Sequence, residues 1–130
     1  MIPGSFSYHR PATVADAVKL LADLGDDARA LAGGHSLVPM MKLRLATPSH
    51  LIDLHAVAGL KGIRRDGSKI VIGAMTTQHE LLASEDIGKS LPILHETALL
   101  IADPQVRYRG TIGGNVANGE IGRASCRERV

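Results

Sequence analysis

The chain has no tryptophan, one phenylalanine and two tyrosines, which leaves almost nothing from which to build a stacking platform for single-stranded bases. Its single cysteine, Cys126, excludes an intrachain disulfide framework, and one thiolate does not hold an iron-sulfur cluster, which usually takes four. Such sparing cysteine usage suits a reducing cytoplasm, the localisation expected here. A charge excess is also missing. Fifteen Lys and Arg stand against thirteen Asp and Glu, scattered along the chain except at its extreme C-terminus, so nucleic acid is not indicated as a partner. No apolar run approaches the roughly 18 residues of a membrane span, and Pro3, Gly4 and Ser5 precede any apolar run at the N-terminus. His9, His50, His55, His79 and His95 lack metal-ligand spacing. His79-Glu80 and His95-Glu96 have Ala83 and Leu99 where a zinc-protease helix needs its second histidine, so no metal site is expected. Neither the six-residue glycine fingerprint of a Rossmann fold nor a phosphate loop ending in Gly-Lys-Ser/Thr occurs, and no Ser-His-Asp or Cys-His arrangement suggests a catalytic side chain.

What the sequence does contain is glycine in pairs. In Leu31-Ala32-Gly33-Gly34-His35-Ser36-Leu37-Val38-Pro39, a short apolar run, Arg29-Ala30-Leu31-Ala32, reads as a buried strand. Two glycines that can take backbone angles closed to other residues follow it, then Ser36 where a helix N-cap belongs and Pro39 in the first turn. Backbone amides at such a turn point one way, and the helix dipole adds partial positive charge, which makes a cradle for phosphate. Arg109-Gly110-Thr111-Ile112-Gly113-Gly114-Asn115 repeats the device after a second extended segment, with Thr111 and Asn115 as short hydrogen-bonding side chains. Two cradles fit a diphosphate. His35 has two readings, a phosphate hydrogen bond or a surface position set by the turn. Met40 and Met41 read as core or interface filler, and the alternation Lys42-Leu43-Arg44-Leu45 as one solvated and one packed face.

A chain of 130 residues has room for one domain or two small subdomains, burying roughly two-thirds of its unfolded surface. Thr13 caps a helix running to Leu24, stopped by Gly25, with Val14, Ala17, Val18, Leu21 and Leu24 on its packed face. With the strand at 29–32 and another at Leu51-Ile52-Asp53-Leu54, this predicts a βαβ-type α/β subdomain over residues 1–55, with the first glycine turn at a strand's carboxyl end. A partial second α+β subdomain is expected over 56–119. It comprises an antiparallel hairpin turning at Asp66-Gly67, a capping box at Thr77-Gln78-His79-Glu80 opening a helix towards Ala83, and a longer helix opened by Ser90 and Pro92 and ending at Asp103-Pro104. Ile93, Leu94, Leu100 and Ile101 supply the longer helix's core, and a strand carrying Arg107 then leads to Gly113-Gly114.

Ala32-Gly33-Gly34-His35-Ser36 and Thr111-Ile112-Gly113-Gly114-Asn115 together resemble the FAD signature of the molybdenum-hydroxylase flavoproteins, the xanthine dehydrogenase FAD-subunit family. Ile2-Pro3-Gly4-Ser5-Phe6, Met40-Met41-Lys42-Leu43-Arg44-Leu45 and Ile101-Ala102-Asp103-Pro104-Gln105-Val106-Arg107 are similar, in particular, to the medium subunits of aerobic carbon monoxide dehydrogenases. The resemblance covers residues 1–119. It implies a PCMH-type FAD-binding fold of the α+β class, with those two stretches on the FAD diphosphate and ribitol. It also implies electron transfer through FAD to an external acceptor, and partner subunits: a large one carrying the molybdenum cofactor and a small one carrying two [2Fe-2S] clusters, in a dimer of heterotrimers. Read without the resemblance, the same two cradles describe a non-redox phosphate- or nucleotide-binding module, or a truncated fragment with no function of its own. Residues 120–130 depart from the family pattern and read as an anomalous tail, foreign to the fold. The resemblance then implies an N-terminal fragment that retains FAD poorly.

Overall fold

A computed structural model describes residues 1–101 and 103–119. The chain forms two compact units, the first spanning Met1–Ala58 and the second starting at Gly59. The expected tail at 120–130, with Cys126, and Ala102 lie outside the described residues.

The first unit is built on a parallel sheet of three short strands, β1 (Ser7–His9), β2 (Ala28–Leu31) and β3 (His50–Asp53), in the order β1-β3-β2. Tyr8 aligns with Leu51, and Leu31 with Asp53. The central strand is buried along most of its length: Leu51, Ile52 and Asp53 are all nearly inaccessible, as expected of a parallel strand covered on both faces. Between β1 and β2 runs α1 (Val14–Leu24). Thr13 caps it by accepting a hydrogen bond from the Asp16 amide at 3.1 Å, and Gly25, at φ +57°, ends it. Its packed stripe differs from the expected one. Ala17 is buried and Leu20, Leu21 and Leu24 are half-buried, whereas Val14 and Val18 are exposed. The helix is rolled so that its smallest apolar residue sits closest to the core and the Val14-Val18 edge faces outward. The strand expected at 29–32 begins and ends one residue earlier.

After β2 the chain passes through residues 32–36 into α2 (Leu37–Lys42), which buries Met41 and leaves Met40 partly exposed. The alternation expected at 42–45 is not there. Lys42 closes α2, Leu43 and Leu45 are both exposed, and Arg44 takes φ +56° while its Nε donates to the Ile2 carbonyl at 3.4 Å.

The second unit opens with a hairpin, β4 (Ile63–Asp66) and β5 (Lys69–Ile72). Asp66 pairs with Lys69, so the two-residue loop is Gly67-Ser68, one position beyond the Asp66-Gly67 expected. Gly67 at φ +59°, followed by a residue with negative φ, matches a type II′ turn, which wants glycine first. Five short helices follow: α3 (Gln78–Ala83), α4 (Glu85–Ser90), α5 (Pro92–Leu99), α6 (Pro104–Arg109) and α7 (Ile112–Asn118). The capping box is present as expected: Thr77 Oγ1 accepts from the Glu80 amide at 3.2 Å and Glu80 Oε2 accepts from the Thr77 amide at 2.7 Å.

Beyond α3 the expectations need correction. Ser90 closes α4 rather than opening α5, because Ser84 already caps α4 through the Ile87 amide. Helix α5 ends at Leu99, not at Asp103. Asp103 is an N-cap, accepting from the Val106 amide at 2.9 Å, and Pro104 occupies a first-turn position of α6. The strand expected before the second glycine pair is therefore a helix, on which Arg107 donates to the carbonyls of Leu99 and Ile101. The core is Met75, Leu81, Ile87, Ala98 and Ile101, with Thr76 sealed among them. Of the four residues expected to supply it, Ile93 and Leu100 are exposed, Leu94 is half-buried and only Ile101 is buried.

Candidate functional site

Residues 32–36 leave the carboxyl end of β2, beside the central strand, where open α/β sheets place their ligands. Gly34 sits at φ +81°, and a Cβ there would lie 3.2 Å from Val38 Cγ2, so both conformation and space favour glycine. Its carbonyl accepts from the Val38 amide at 3.0 Å. The amides of Gly33, Gly34 and His35 donate to no other described residue. Ala32, Gly33, Gly34 and Ser36 are half-buried and His35 is exposed. Ser36 stands at the N-cap position as expected, but with helical backbone angles and no side-chain cap. Helix α2 has only six residues, so the loop amides supply most of the local positive potential.

The second stretch is built differently. Thr111 is buried and Ile112, Gly113, Gly114 and Asn115 are half-buried. The glycines are not in a turn after a strand but in the first turn of α7, capped by Thr111. Each amide there already has an acceptor: Ile112 donates to the Thr76 carbonyl at 3.0 Å, Gly113 to the Ala74 carbonyl at 2.9 Å, and Asn115 to the Thr111 carbonyl at 3.1 Å. The Gly114 amide donates to Thr111 Oγ1 at 3.1 Å. A Cβ on Gly113 would fall 2.6 Å from the Ala74 carbonyl oxygen and 2.7 Å from Ala74 Cβ. This glycine lets the helix touch the 74–76 segment. In place of the expected second amide cradle there is a packed helix start whose amides are already engaged.

Two further features lie outside the ten residues singled out from sequence. An open groove of about 670 Å³, lined among others by Arg10, Asp16 and Lys19, touches none of them. At the end of β3, Asp53 is buried and both of its oxygens are engaged. Tyr8 donates its hydroxyl to Oδ2, and the His55 amide and Nδ1 approach Oδ1 at 2.9 and 2.5 Å. Burial pushes the Asp53 carboxyl up, but the hydrogen bond from Tyr8 and those from His55 outweigh it and hold the pKa below its ordinary value. The same hydrogen bond raises the Tyr8 phenol, helped by desolvation and the nearby carboxylate charge. A buried aspartate closing an apolar strand was the sequence signal for this cluster. Among the described residues no group of three or more His, Cys, Asp or Glu is arranged to hold a metal ion, and no helix is long and apolar enough to cross a membrane.

An amide-lined glycine loop at the carboxyl end of a parallel sheet is the arrangement with which α/β folds receive phosphate-bearing ligands. Residues 4–124 match the family described as FAD binding domain in molybdopterin dehydrogenase, and the chain belongs to that family. It is 66% identical over 122 residues to the carbon monoxide dehydrogenase medium chain of Afipia carboxidovorans, and 58% identical over 122 residues to that of Hydrogenophaga pseudoflava. Each match covers 94% of this chain and 42% of the relative. The fold matches a chain of the crystal structure of the cyanide-inactivated Cu,Mo-CO dehydrogenase with a TM-score of 0.89 and 66% identity, covering 92% of this chain and 42% of that one. The chain therefore spans less than half the length of these relatives. The PCMH-type α+β fold expected from the sequence agrees with this likeness.

FAD fits the first stretch through unengaged amides at a loop where glycine is required.

Proposed function

We propose that this chain is the FAD-binding portion of the flavoprotein subunit of a molybdenum hydroxylase of the aerobic carbon monoxide dehydrogenase type. In this reading Ala32, Gly33, Gly34, His35 and Ser36 hold the FAD diphosphate, and Thr111, Ile112, Gly113, Gly114 and Asn115 are the second stretch of the FAD signature. The loop amides neutralise phosphate charge and the Asn115 carboxamide orients what lies against α7. The chemistry FAD supplies when bound is transfer of electrons from [2Fe-2S] clusters on a small partner subunit to an external acceptor. The substrate is oxidised on a large subunit carrying the molybdenum cofactor, the three subunits pair as a dimer of heterotrimers in the cytoplasm, and no side chain of this chain is assigned a bond-making role.

The observation that carries this reading is 66% identity to a carbon monoxide dehydrogenase medium chain across nearly the whole sequence, combined with three unengaged amides at the residues that resemble the FAD signature. The names of the relatives, which include dehydrogenase medium chains and FAD-binding subunits, do not favour a non-redox nucleotide module. A fluorescence and absorbance titration with FAD, using ADP as competitor, tests it. Weak binding of FAD is expected, still in preference to ADP and with a shifted flavin spectrum. Equal affinity for ADP without a spectral shift would overturn it.

A further inference from the structure

The end of β3 carries a histidine that the functional reading leaves idle. Leu31 and Asp53 are aligned in neighbouring parallel strands, and the Leu54 amide donates to the Leu31 carbonyl at 3.0 Å. The backbone entering His55 thus runs beside the chain entering the Ala32–Ser36 loop, at the spacing of paired strands, roughly 5 Å. His55 is half-buried, and its ring is tied by Nδ1 to Asp53 Oδ1 at 2.5 Å. Asp53 is itself fixed from the other side by the Tyr8 hydroxyl and by the His55 amide. A carboxylate accepts, so Nδ1 carries the hydrogen, and the ring presents Nε2 on the side away from Asp53.

We propose that His55 is a phosphate-binding residue of the same site as the glycine loop, held in place by Asp53 and Tyr8 as positioning residues; this rests on the FAD-binding reading above. One observation points to a ligand independently of the loop, and a second places it beside the loop. Buried Asp53 accepts from Tyr8 on one oxygen and from the His55 amide and ring on the other, so the carboxylate is itself held while it holds the imidazole, a device that fixes both tautomer and direction. The imidazole so fixed lies at the sheet edge where three loop amides await an anion. With Nδ1 held by Asp53, Nε2 is the ring atom left to meet a phosphate oxygen, and a hydrogen on Nε2 would be donated to it as a charge-assisted bond. The ligand chemistry is a phosphate ester, met in FAD and ADP alike and absent from riboflavin.

The test measures the affinity of the chain and of His55→Ala for FAD, ADP and riboflavin. His55→Ala is expected to weaken FAD and ADP about tenfold or more and to leave any riboflavin binding unchanged. Tyr8→Phe, which keeps the imidazole and loosens its support, is expected to give a smaller loss of the same pattern. A readout that needs no substitution is nitrogen-15 NMR of the imidazoles, in which the His55 Nε2 resonance moves on adding ADP and not on adding riboflavin. If the unsubstituted chain binds neither FAD nor ADP, the functional reading is overturned and this inference with it. If it binds both while His55→Ala binds them equally well, or its Nε2 resonance ignores ADP, the inference alone is overturned.

Discussion

Two stretches of similar sequence, Gly33-Gly34 and Gly113-Gly114, solve opposite problems. The first leaves amides unengaged. Its glycine at φ +81° bends the chain out of β2 so that the amides of residues 33–35 meet no acceptor in the described chain. The second engages every amide from 112 to 115, and its Gly113 is needed because the helix start lies against the Ala74 backbone. Paired glycines are therefore an ambiguous signal. In one place glycine supplies a conformation, and in the other it supplies room for backbone to touch backbone. The family resemblance groups the two stretches as one cofactor signature, and the geometry separates what each contributes to it.

The sharpest way to break this comparison is Gly113→Ala. The new methyl would collide with the Ala74 carbonyl and Cβ, atoms that cannot swing away like a side-chain tip, so a stability loss of about 3 kcal/mol is expected, read by urea denaturation. Gly34→Ala should behave differently. It asks alanine for a positive φ, costing about 1–2 kcal/mol, and brings a methyl to 3.2 Å from Val38 Cγ2. Its larger effect is expected on FAD affinity. If Gly113→Ala proved harmless to folding while Gly34→Ala unfolded the chain, the roles assigned to the two glycines would be reversed.

A third substitution separates cap from cradle. Thr111 is buried and its Oγ1 accepts from the Gly114 amide, so Thr111→Ala is expected to cost about 1–2 kcal/mol of stability and to release an amide. Thermal unfolding of Thr111→Ser, which keeps the hydroxyl, should recover most of that loss. Were Thr111→Ala to leave stability unchanged, α7 would owe its first turn to the Thr76 and Ala74 carbonyls alone.

The same contrast explains what was legible in the sequence. Features set by local chemistry were readable: the Thr13 cap, the Thr77 capping box, the hairpin and the first glycine turn all follow from residues within a few positions of each other. The misreadings cluster between Ser84 and Gly119, where tertiary contacts outvote local pattern. Asp103-Pro104 is a helix start as readily as a stop, and only the capping bond from the Val106 amide decides it. Helix α4 contains Gly88 and a single buried apolar residue, Ile87, too little periodicity to detect, although Ser84 followed by two acidic residues was the available signal. Helix α7 carries two glycines in its first turns, a propensity penalty of about 2 kcal/mol, and forms because Thr76 and Ala74 pin its start. Its sequence alone reads as a turn.

The Tyr8-Asp53-His55 cluster sharpens the comparison further, because it ties charge to the loop end of the first unit, and the smallest of the expected effects lies there. Asp53 has its pKa lowered in the folded chain, so it contributes stability that is present above the ordinary carboxylate value of 3.8 and is lost as pH falls through the folded value. Asp53→Asn should therefore flatten the acid limb of a plot of unfolding free energy against pH. Tyr8→Phe makes a stricter test. Burial acts on Asp53 in the raising direction, and the Tyr8 hydroxyl is the foremost of the contacts that oppose it. With that hydroxyl gone the Asp53 pKa should rise towards its unfolded value, so its acid limb should shrink from the low-pH end. An acid limb that stayed in place in Tyr8→Phe would mean that His55 alone holds the carboxylate charged, and that Tyr8 plays no part in fixing the imidazole beside the glycine loop.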